Sequence, residues 1–208
     1  MSVQRDPKIP HQPVYDRVAR HYDSVMAPFD RCFLARRRKQ AAGALPENGA
    51  ILELGAGSGL NAAYLSNRAS VVASDLSRKM LEIARTRNWP AGVDIVQCDA
   101  ESLPFADDSF DAALATLVFC SIPSPANSFK ELRRVLKPGG IVVLLEHVRP
   151  PNILGPLFDI LNVFTVRIFE DHFNRKTAID AQLAGLEILS LNSHAFGIFQ
   201  VIICRVND

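Results

Sequence analysis

The chain has 208 residues, of which 48% are hydrophobic and 22% charged, and its formal net charge is +1. These values allow one sizeable core and argue against a disordered chain, a fibre or a uniformly basic nucleic-acid binder. The charge is uneven: residues 1–39 hold nine basic residues against four acidic ones, a local +5, which leaves −4 for the remainder. Cys32, Cys98, Cys120 and Cys204 lie far apart with no Cys-x-x-Cys pair, a pattern that fits free thiols better than a disulfide framework or a zinc knuckle. The first residues are polar, and no uncharged apolar run reaches the ~18–20 residues of a spanning helix, so the expected location is the cytoplasm.

Along the chain, Val14, Val18, Tyr22 and Val25 recur at helical spacing, and Pro28 is expected to end that helix. A second helical run covers about Asp30 to Leu45 and stops at Pro46-Glu47-Asn48-Gly49. The pattern then changes to short apolar runs bounded by turns. Ala50–Leu54, Ser70–Asp75, Val93–Cys98, Phe110–Phe119 and Ile141–Glu146 read as five strands. Helical stripes lie between them: Leu76, Met80, Ile83 and Ala84, then Phe129, Leu132, Val135 and Leu136, with Pro138-Gly139-Gly140 as the turn that follows. Strands alternating with helices imply right-handed βαβ units and a mainly parallel sheet. The end differs. Ile153–Phe169 is rich in Leu, Ile and Phe, Lys176–Ala184 reads as a helix, and Leu186–Leu191 and Phe196–Val206 read as strands. The link between those two strands is too short for a crossover helix, so they are expected to be antiparallel.

The chemistry concentrates at Glu53-Leu54-Gly55-Ala56-Gly57-Ser58-Gly59, where the first strand passes into a helix. Glycines there allow close approach of a ligand to the backbone, and a helix start offers free N–H groups. Asp75 ends the second strand, where a carboxylate can accept two hydrogen bonds from a ribose diol. Together these features indicate an adenosine-type ligand, against the plainer reading of a glycine turn needed only for packing. The spacing is G-x-G-x-G rather than the nicotinamide fingerprint G-x-G-x-x-G, and the Lys-Ser/Thr of a phosphate loop is missing.

Glu53-x-Gly55-x-Gly57-x-Gly59 followed by Asp75 resembles the first two motifs of class I S-adenosylmethionine-dependent methyltransferases. Asp99-Ala100-Glu101-Ser102-Leu103-Pro104-Phe105 resembles the segment after that family's third strand, and Ser109-Phe110-Asp111 the opening of its fourth. Phe129-Lys130-Glu131-Leu132, continuing to Lys137-Pro138-Gly139-Gly140, resembles the helix and turn before its fifth. The resemblance implies an α/β, Rossmann-like fold with helices on both faces of a seven-stranded, mostly parallel sheet. The order would be 3-2-1-4-5-7-6, with strand seven antiparallel. It implies one domain over residues 1–208: a helical N-terminal cap over 1–45, a cofactor core over 50–147, and acceptor-side helices with the antiparallel strands over 148–208.

Carried over residue by residue, the resemblance assigns S-adenosylmethionine to this cleft, with S-adenosylhomocysteine as product. Glu53 and the loop of Gly55, Gly57 and Gly59 would hold the methionine part, with Asn61 just beyond, and Asp75 the ribose. Leu76 and Met80 would flank the adenine, and Asp99, Ala100 and Glu101 would meet its edge. Thr116 and Leu117 would lie beside the methionine chain. Tyr22 is placed in the cofactor site and, with His147, in the catalytic one; packing in the stripe and capping of the strand are the competing readings. No metal is implied.

The cap pattern Tyr15-Asp16-Arg17-x-Ala19-x-x-Tyr22-Asp23 and Leu145-Glu146-His147-Val148-Arg149 are similar to two groups of the type 11 kind. These are bacterial phospholipid N-methyltransferases and the C-methyltransferases of ubiquinone and menaquinone synthesis. They imply a small or lipid-like acceptor, with a phosphatidylethanolamine-type amine favoured. A quinone carbon, or a small-molecule thiol or hydroxyl, is the alternative. A nicotinamide oxidoreductase and a non-catalytic cofactor-binding protein stand further off, and a nucleic-acid acceptor is disfavoured because Leu117-Val118-Phe119-Cys120 replaces the expected Pro-Pro tetrapeptide. Arg31, Arg36, Arg37, Arg38 and Lys39, with Phe29, Phe33 and Leu34, form one helical run. It reads either as a solvated helix face or as a patch that meets an anionic membrane surface. His172, in Asp171-His172-Phe173-Asn174-Arg175, matches a segment of certain small-molecule methyltransferases without a definite role.

Overall fold

The computed structural model describes residues 14–65, 67, 70–150, 155–156, 172 and 175–207. Seven strands form one sheet in the order β3-β2-β1-β4-β5-β7-β6. They are β1 (Ala50–Leu54), β2 (Ser70–Asp75), β3 (Asp94–Gln97), β4 (Phe110–Thr116), β5 (Leu136–His147), β6 (Leu186–His194) and β7 (Phe199–Val206). The first five run parallel, while β7 is antiparallel to both β5 and β6.

The central strands are apolar throughout because both faces are covered. Their alternation sorts side chains into two cores. Leu52, Leu54, Ala113, Ala115, Val142 and Leu144 join Phe129 and Leu132 of helix α5 (Pro125–Val135) on one face. Helix α6 (Thr177–Leu183) adds Ala181 to that layer, and Phe119 stacks on Phe129 at 4.3 Å between ring centres. On the other face Ile51, Leu114, Val143 and Leu145 meet Ala41 and Ala42 of α2 (Ala35–Gly43) and Leu65 of α3 (Ala62–Leu65). The turn predicted at Pro138–Gly140 is a bulge inside β5: pairing with β4 slips between Phe110 and Ala112, and Gly139 takes φ +74°.

The N-terminal helix does not end at Pro28 as expected. Helix α1 (Val14–Phe29) runs through it into a π-helical turn, Asp30–Leu34, and then into α2. The proline lacks an N–H and its ring crowds the preceding turn. A π turn, closed by the Ala35 N–H onto the Asp30 carbonyl, follows two residues later and carries the helical path into α2. Helix α4 (Arg78–Ala84) follows β2 and is capped by the Ser77 hydroxyl, which accepts from the Met80 N–H. No helix among the described residues is long and apolar enough to cross a membrane. The apolar run expected at Ile153–Phe169 lies, apart from Gly155 and Pro156, outside the described residues.

Candidate functional site

A cleft of about 200 Å³ opens at the carboxyl ends of β1, β2 and β4. It is where an open α/β sheet places its ligand, on either side of the point where strand order reverses. Leaving β1, the chain turns through Gly55 (φ +66°) and Gly57 (φ +56°). A Cβ on Gly55 would stand 2.4 Å from a Val118 methyl, so this glycine permits contact between two loops. A Cβ on Gly57 would meet nothing within 4 Å and would fill cleft space instead. Gly59 sits against Ala84 of α4 and does not line the cleft.

Asp75 is fixed at both oxygens: Oδ2 accepts from the Gly57 N–H and Oδ1 from the Ser77 N–H, each at 2.8 Å. Burial raises its pKa, the two amides oppose that, and the neighbouring Asp16 carboxylate adds to it, leaving Asp75 above the usual carboxylate range. Leu76, buried Met80, Cys98, Asp99 and Ala100 line the adjoining part of the cleft. Glu101 faces elsewhere. Its carboxylate accepts from the Ser124 N–H and from the Asn127 amide, so it secures the start of α5 rather than a ligand edge.

At the other end the residues form a polar network inside the protein. Glu53 is 1% exposed. Its Oε1 accepts from Asn61 Nδ2 at 2.9 Å, while Oε2 has no hydrogen-bond partner among the described residues. Burial pushes the Glu53 pKa up to about 7 against the pull of Asn61 and Arg38. Arg38 is the residue that the sequence reading misplaced. It lies in the Arg-rich run assigned to solvent or a membrane, yet it is 4% exposed and lines the cleft. It donates to Asp30 Oδ1 (2.7 Å), Asn61 Oδ1 (3.0 Å) and Thr116 Oγ1 (2.8 Å). Helical phase holds the signal: Leu34, Arg38, Ala41, Ala42 and Leu45 share one buried stripe, so Arg38 is the single charge on an inward face.

Tyr15 and Tyr22 close the cleft from above, in edge-to-face contact at 6.0 Å. Two carboxylates tie α1 down. Asp16 accepts from the Ser77 hydroxyl and the Lys79 N–H, and Asp23 accepts from the Ser58 hydroxyl and pairs with Arg87. Thr116 and Leu117 line the opposite wall, Leu117 with φ +57°, an uncommon conformation for a branched side chain. That turn is held by Glu146, whose Oε1 accepts from the Val118 and Phe119 N–H groups.

His147 is buried at the end of β5 and does not line the cleft. Burial lowers its pKa to about 4, so the imidazole is neutral near pH 7. The His172 N–H donates to the Cys120 carbonyl, and Arg175 Nη2 to that of Ile122, which ties these two residues to the chain beside the cleft wall. A larger open hollow of about 670 Å³ between α5 and α6 includes none of the predicted site residues.

A zwitterionic amino acid joined to an adenosine fits this arrangement. Arg38 in the cleft wall suits a carboxylate, Gly57 leaves room at the backbone, and the cleft-lining Asp75 carboxylate suits a diol, while the buried Glu53, its Oε2 without a hydrogen-bond partner among the described residues, places a carboxylate just behind the lining beside Arg38. These are the features of a class I methyltransferase cofactor site. Residues 52–144 match the family model described as a methyltransferase domain. The chain is 31% identical over 169 residues to a demethylmenaquinone methyltransferase of Renibacterium salmoninarum, a match covering 79% of this chain and 69% of that protein. It is 36% identical over 125 residues to a phosphatidylethanolamine N-methyltransferase of Cereibacter sphaeroides, covering 58% of this chain and 61% of the relative. A solved S-adenosylmethionine-dependent methyltransferase of Thermotoga maritima superposes with a TM-score of 0.72 at 25% identity, over 93% of this chain and 98% of that one. The chain belongs to the S-adenosylmethionine-dependent methyltransferase family. It spans between 42% and 64% of the length of several curated relatives that it matches.

Proposed function

We propose that this protein transfers a methyl group from S-adenosylmethionine to a lipid-like acceptor, with a phosphatidylethanolamine-type amine as the favoured substrate. The observation that carries the transfer reading is the cleft's charge arrangement: Arg38 at one end, with the buried Glu53 carboxylate next to it behind the lining, and Asp75 at the other. The amine reading is supported by similarity to the Cereibacter sphaeroides phosphatidylethanolamine N-methyltransferase. A quinone carbon is the second reading, supported by similarity to the demethylmenaquinone methyltransferase.

Bound in this cleft, the cofactor supplies a methyl already activated on a sulfonium, so the protein's work is orientation. Glu53 and Arg38 hold the two charges of the methionine end, and Asp75 fixes the ribose. Leu76, Met80 and Ala100 enclose the adenine. The Leu117 turn, braced by Glu146, sets the wall beside the methionine chain, and α1 excludes water once Asp16 and Asp23 have latched it. An amine acceptor must present a free lone pair, so its ammonium proton has to leave first. Tyr22, at the cleft, is assigned contact with the acceptor. His147, the other catalytic candidate, is buried outside the cleft lining with its pKa lowered to about 4, so it is assigned a positioning role at the end of β5, as a neutral imidazole that does not touch the acceptor.

The test is transfer of labelled methyl from S-adenosylmethionine to a panel: phosphatidylethanolamine in vesicles, a reduced demethylated quinone, and a small thiol. Methylated ethanolamine headgroup is the expected product. Label appearing only in the quinone or the thiol would replace the amine reading. Label in none of them, with S-adenosylhomocysteine still bound, would remove this acceptor class altogether.

A further inference from the structure

Helix α1 leads from the cleft at Tyr22 past Val25, which is exposed, to Phe29, and Phe33 follows in the π turn. Phe29 packs on Phe33 at 5.4 Å and on Phe199 at 5.9 Å between ring centres. Phe199 begins β7 and sits opposite His147 in the sheet, and the Val148 N–H donates to the Ile198 carbonyl at 2.7 Å. The β6–β7 turn is therefore bonded directly to the acceptor end of β5. At its tip two consecutive non-glycine residues, Ala195 and Phe196, have φ values of +49° and +58°. This tight reversal holds the Phe196 side chain 83% exposed, while Phe33 is 51% exposed. A left-handed backbone is costly for a bulky residue and persists only where its surroundings impose it.

The rim of this apolar edge is cationic. Arg36 and Arg37 follow Phe33 by one turn and lie close enough to His194, the last residue of β6, to depress its pKa after burial. Arg31 and Lys39 are exposed on the same helical run, whereas Arg38 turns inward.

We infer that Phe29, Phe33 and the Phe196 turn, rimmed by Arg36 and Arg37, are a two-part anchor that seats the chain on an anionic bilayer with the acceptor side of the cleft facing the lipid. This rests on the lipid-like acceptor proposed above and adds the surface that would deliver it. Charge complementarity selects the occupant: aromatic rings enter the interface and guanidinium groups stay at the headgroups. The anchor touches the cleft at one end, through α1, and β5 at the other. An acceptor with apolar tails would then present its headgroup without leaving the membrane.

The experiment is co-sedimentation of the full chain with vesicles of phosphatidylglycerol in phosphatidylcholine, and with phosphatidylcholine alone. Binding to the anionic vesicles that declines with salt is expected. Replacing both Arg36 and Arg37 by Gln should weaken it by about thirtyfold. Phe196→Asn, which tolerates the left-handed turn, should weaken it by roughly tenfold. Both variants should bind S-adenosylhomocysteine as the parent does, because neither site lines the cleft. Failure to bind anionic vesicles at low salt, or binding that survives both variants, would overturn the anchor. The two readings fail separately. Vesicle binding without methylation of any aminolipid removes the acceptor reading alone. Methylation of a short-chain, water-soluble aminophospholipid without vesicle binding removes the anchor alone.

Discussion

Arg38→Met tests the inward-facing arginine. The parent side chain makes charged hydrogen bonds to Asp30, Asn61 and Thr116 between 2.7 and 3.0 Å, in a site where Arg38 is 4% exposed. Methionine keeps most of the apolar stem and the volume but leaves the Asp30 carboxylate without its ion-pair partner. The Asp30 side chain is 18% exposed, so water takes up part of the lost bonding, and the loss of these charge-assisted hydrogen bonds costs on the order of 1.5–3 kcal/mol. The effect on ligand affinity is separate. Losing the group matched to the cofactor's carboxylate should weaken S-adenosylhomocysteine binding by on the order of 2–3 kcal/mol. Arg38 is also one of the groups that hold the Glu53 pKa down, so its loss should push that pKa further up. Calorimetric titration with S-adenosylhomocysteine at pH 6 and pH 8, paired with urea denaturation, separates these effects. Arg36→Gln and Arg37→Gln serve as controls and should bind the ligand unchanged. Parent-like affinity in a folded Arg38→Met protein, or a loss of equal size in the controls, would refute the assignment.

Three further outcomes follow from the same geometry. Asp75→Ala should weaken S-adenosylhomocysteine binding by on the order of 2–3 kcal/mol, because a carboxylate fixed at both oxygens loses its bonds to the ribose diol; titration calorimetry measures it. Glu53, with a pKa near 7, must be ionised to pair with an ammonium, so affinity should rise about tenfold from pH 6 to pH 8, with proton release at the lower pH; Glu53→Gln should abolish the slope. His147 has a folded pKa near 4, below its unfolded value, so it adds stability that is present above about pH 6.5 and lost as pH falls toward 4. Urea denaturation should show about 2 kcal/mol of that loss between pH 7 and pH 5, and a folded His147→Asn protein should lack that component.

The sheet was legible because its signals are local. Runs such as Ala50–Leu54 and Ser70–Asp75 have the boundaries that their flanking turns suggest, since central parallel strands must be apolar on both faces. The short link expected between Leu191 and Phe196 also announced the antiparallel pair, although the second strand begins three residues later, at Phe199. What escaped depends on contacts distant in sequence. Arg38 reads as one of three adjacent arginines until the helix is given a phase, and its partners Asn61 and Thr116 are 23 and 78 residues away. Glu101 fits the family segment by sequence, but its carboxylate is claimed by Ser124 and Asn127. Pro28 reads as a helix stop because proline removes an N–H and crowds the preceding turn, yet α1 continues through it to Phe29. Asp16 and Asp23 stand in the cap pattern without an assigned role, and their bonds to Ser77 and Ser58 depend on α1 lying across the glycine loop, 61 and 35 residues away in sequence.

The choice between an S-adenosyl ligand and a nicotinamide dinucleotide also turns on charge, beyond glycine spacing. Both carry a ribose that Asp75 can hold, so Asp75 does not discriminate. A dinucleotide brings an anionic pyrophosphate to the glycine loop, directly beside β1. Here the loop is preceded by Glu53, whose Oε2 is buried with no hydrogen-bond partner among the described residues. An anion placed near it meets either a carboxylate of like charge or the cost of keeping that carboxylate protonated above its pKa of about 7. An ammonium in the same place completes the hydrogen bonding and favours the ionised form. The sign of the interaction therefore reverses between the two ligands, and like-charge juxtaposition in a buried site costs several kcal/mol. S-adenosylmethionine and S-adenosylhomocysteine should bind, NAD should not, and the gap should widen from pH 6 to pH 8 as Glu53 ionises. Titration calorimetry with each ligand across that range measures the gap. NAD binding that equals or exceeds S-adenosylhomocysteine binding, or a gap that narrows as pH rises, would show that Glu53 does not face the ligand's charged end.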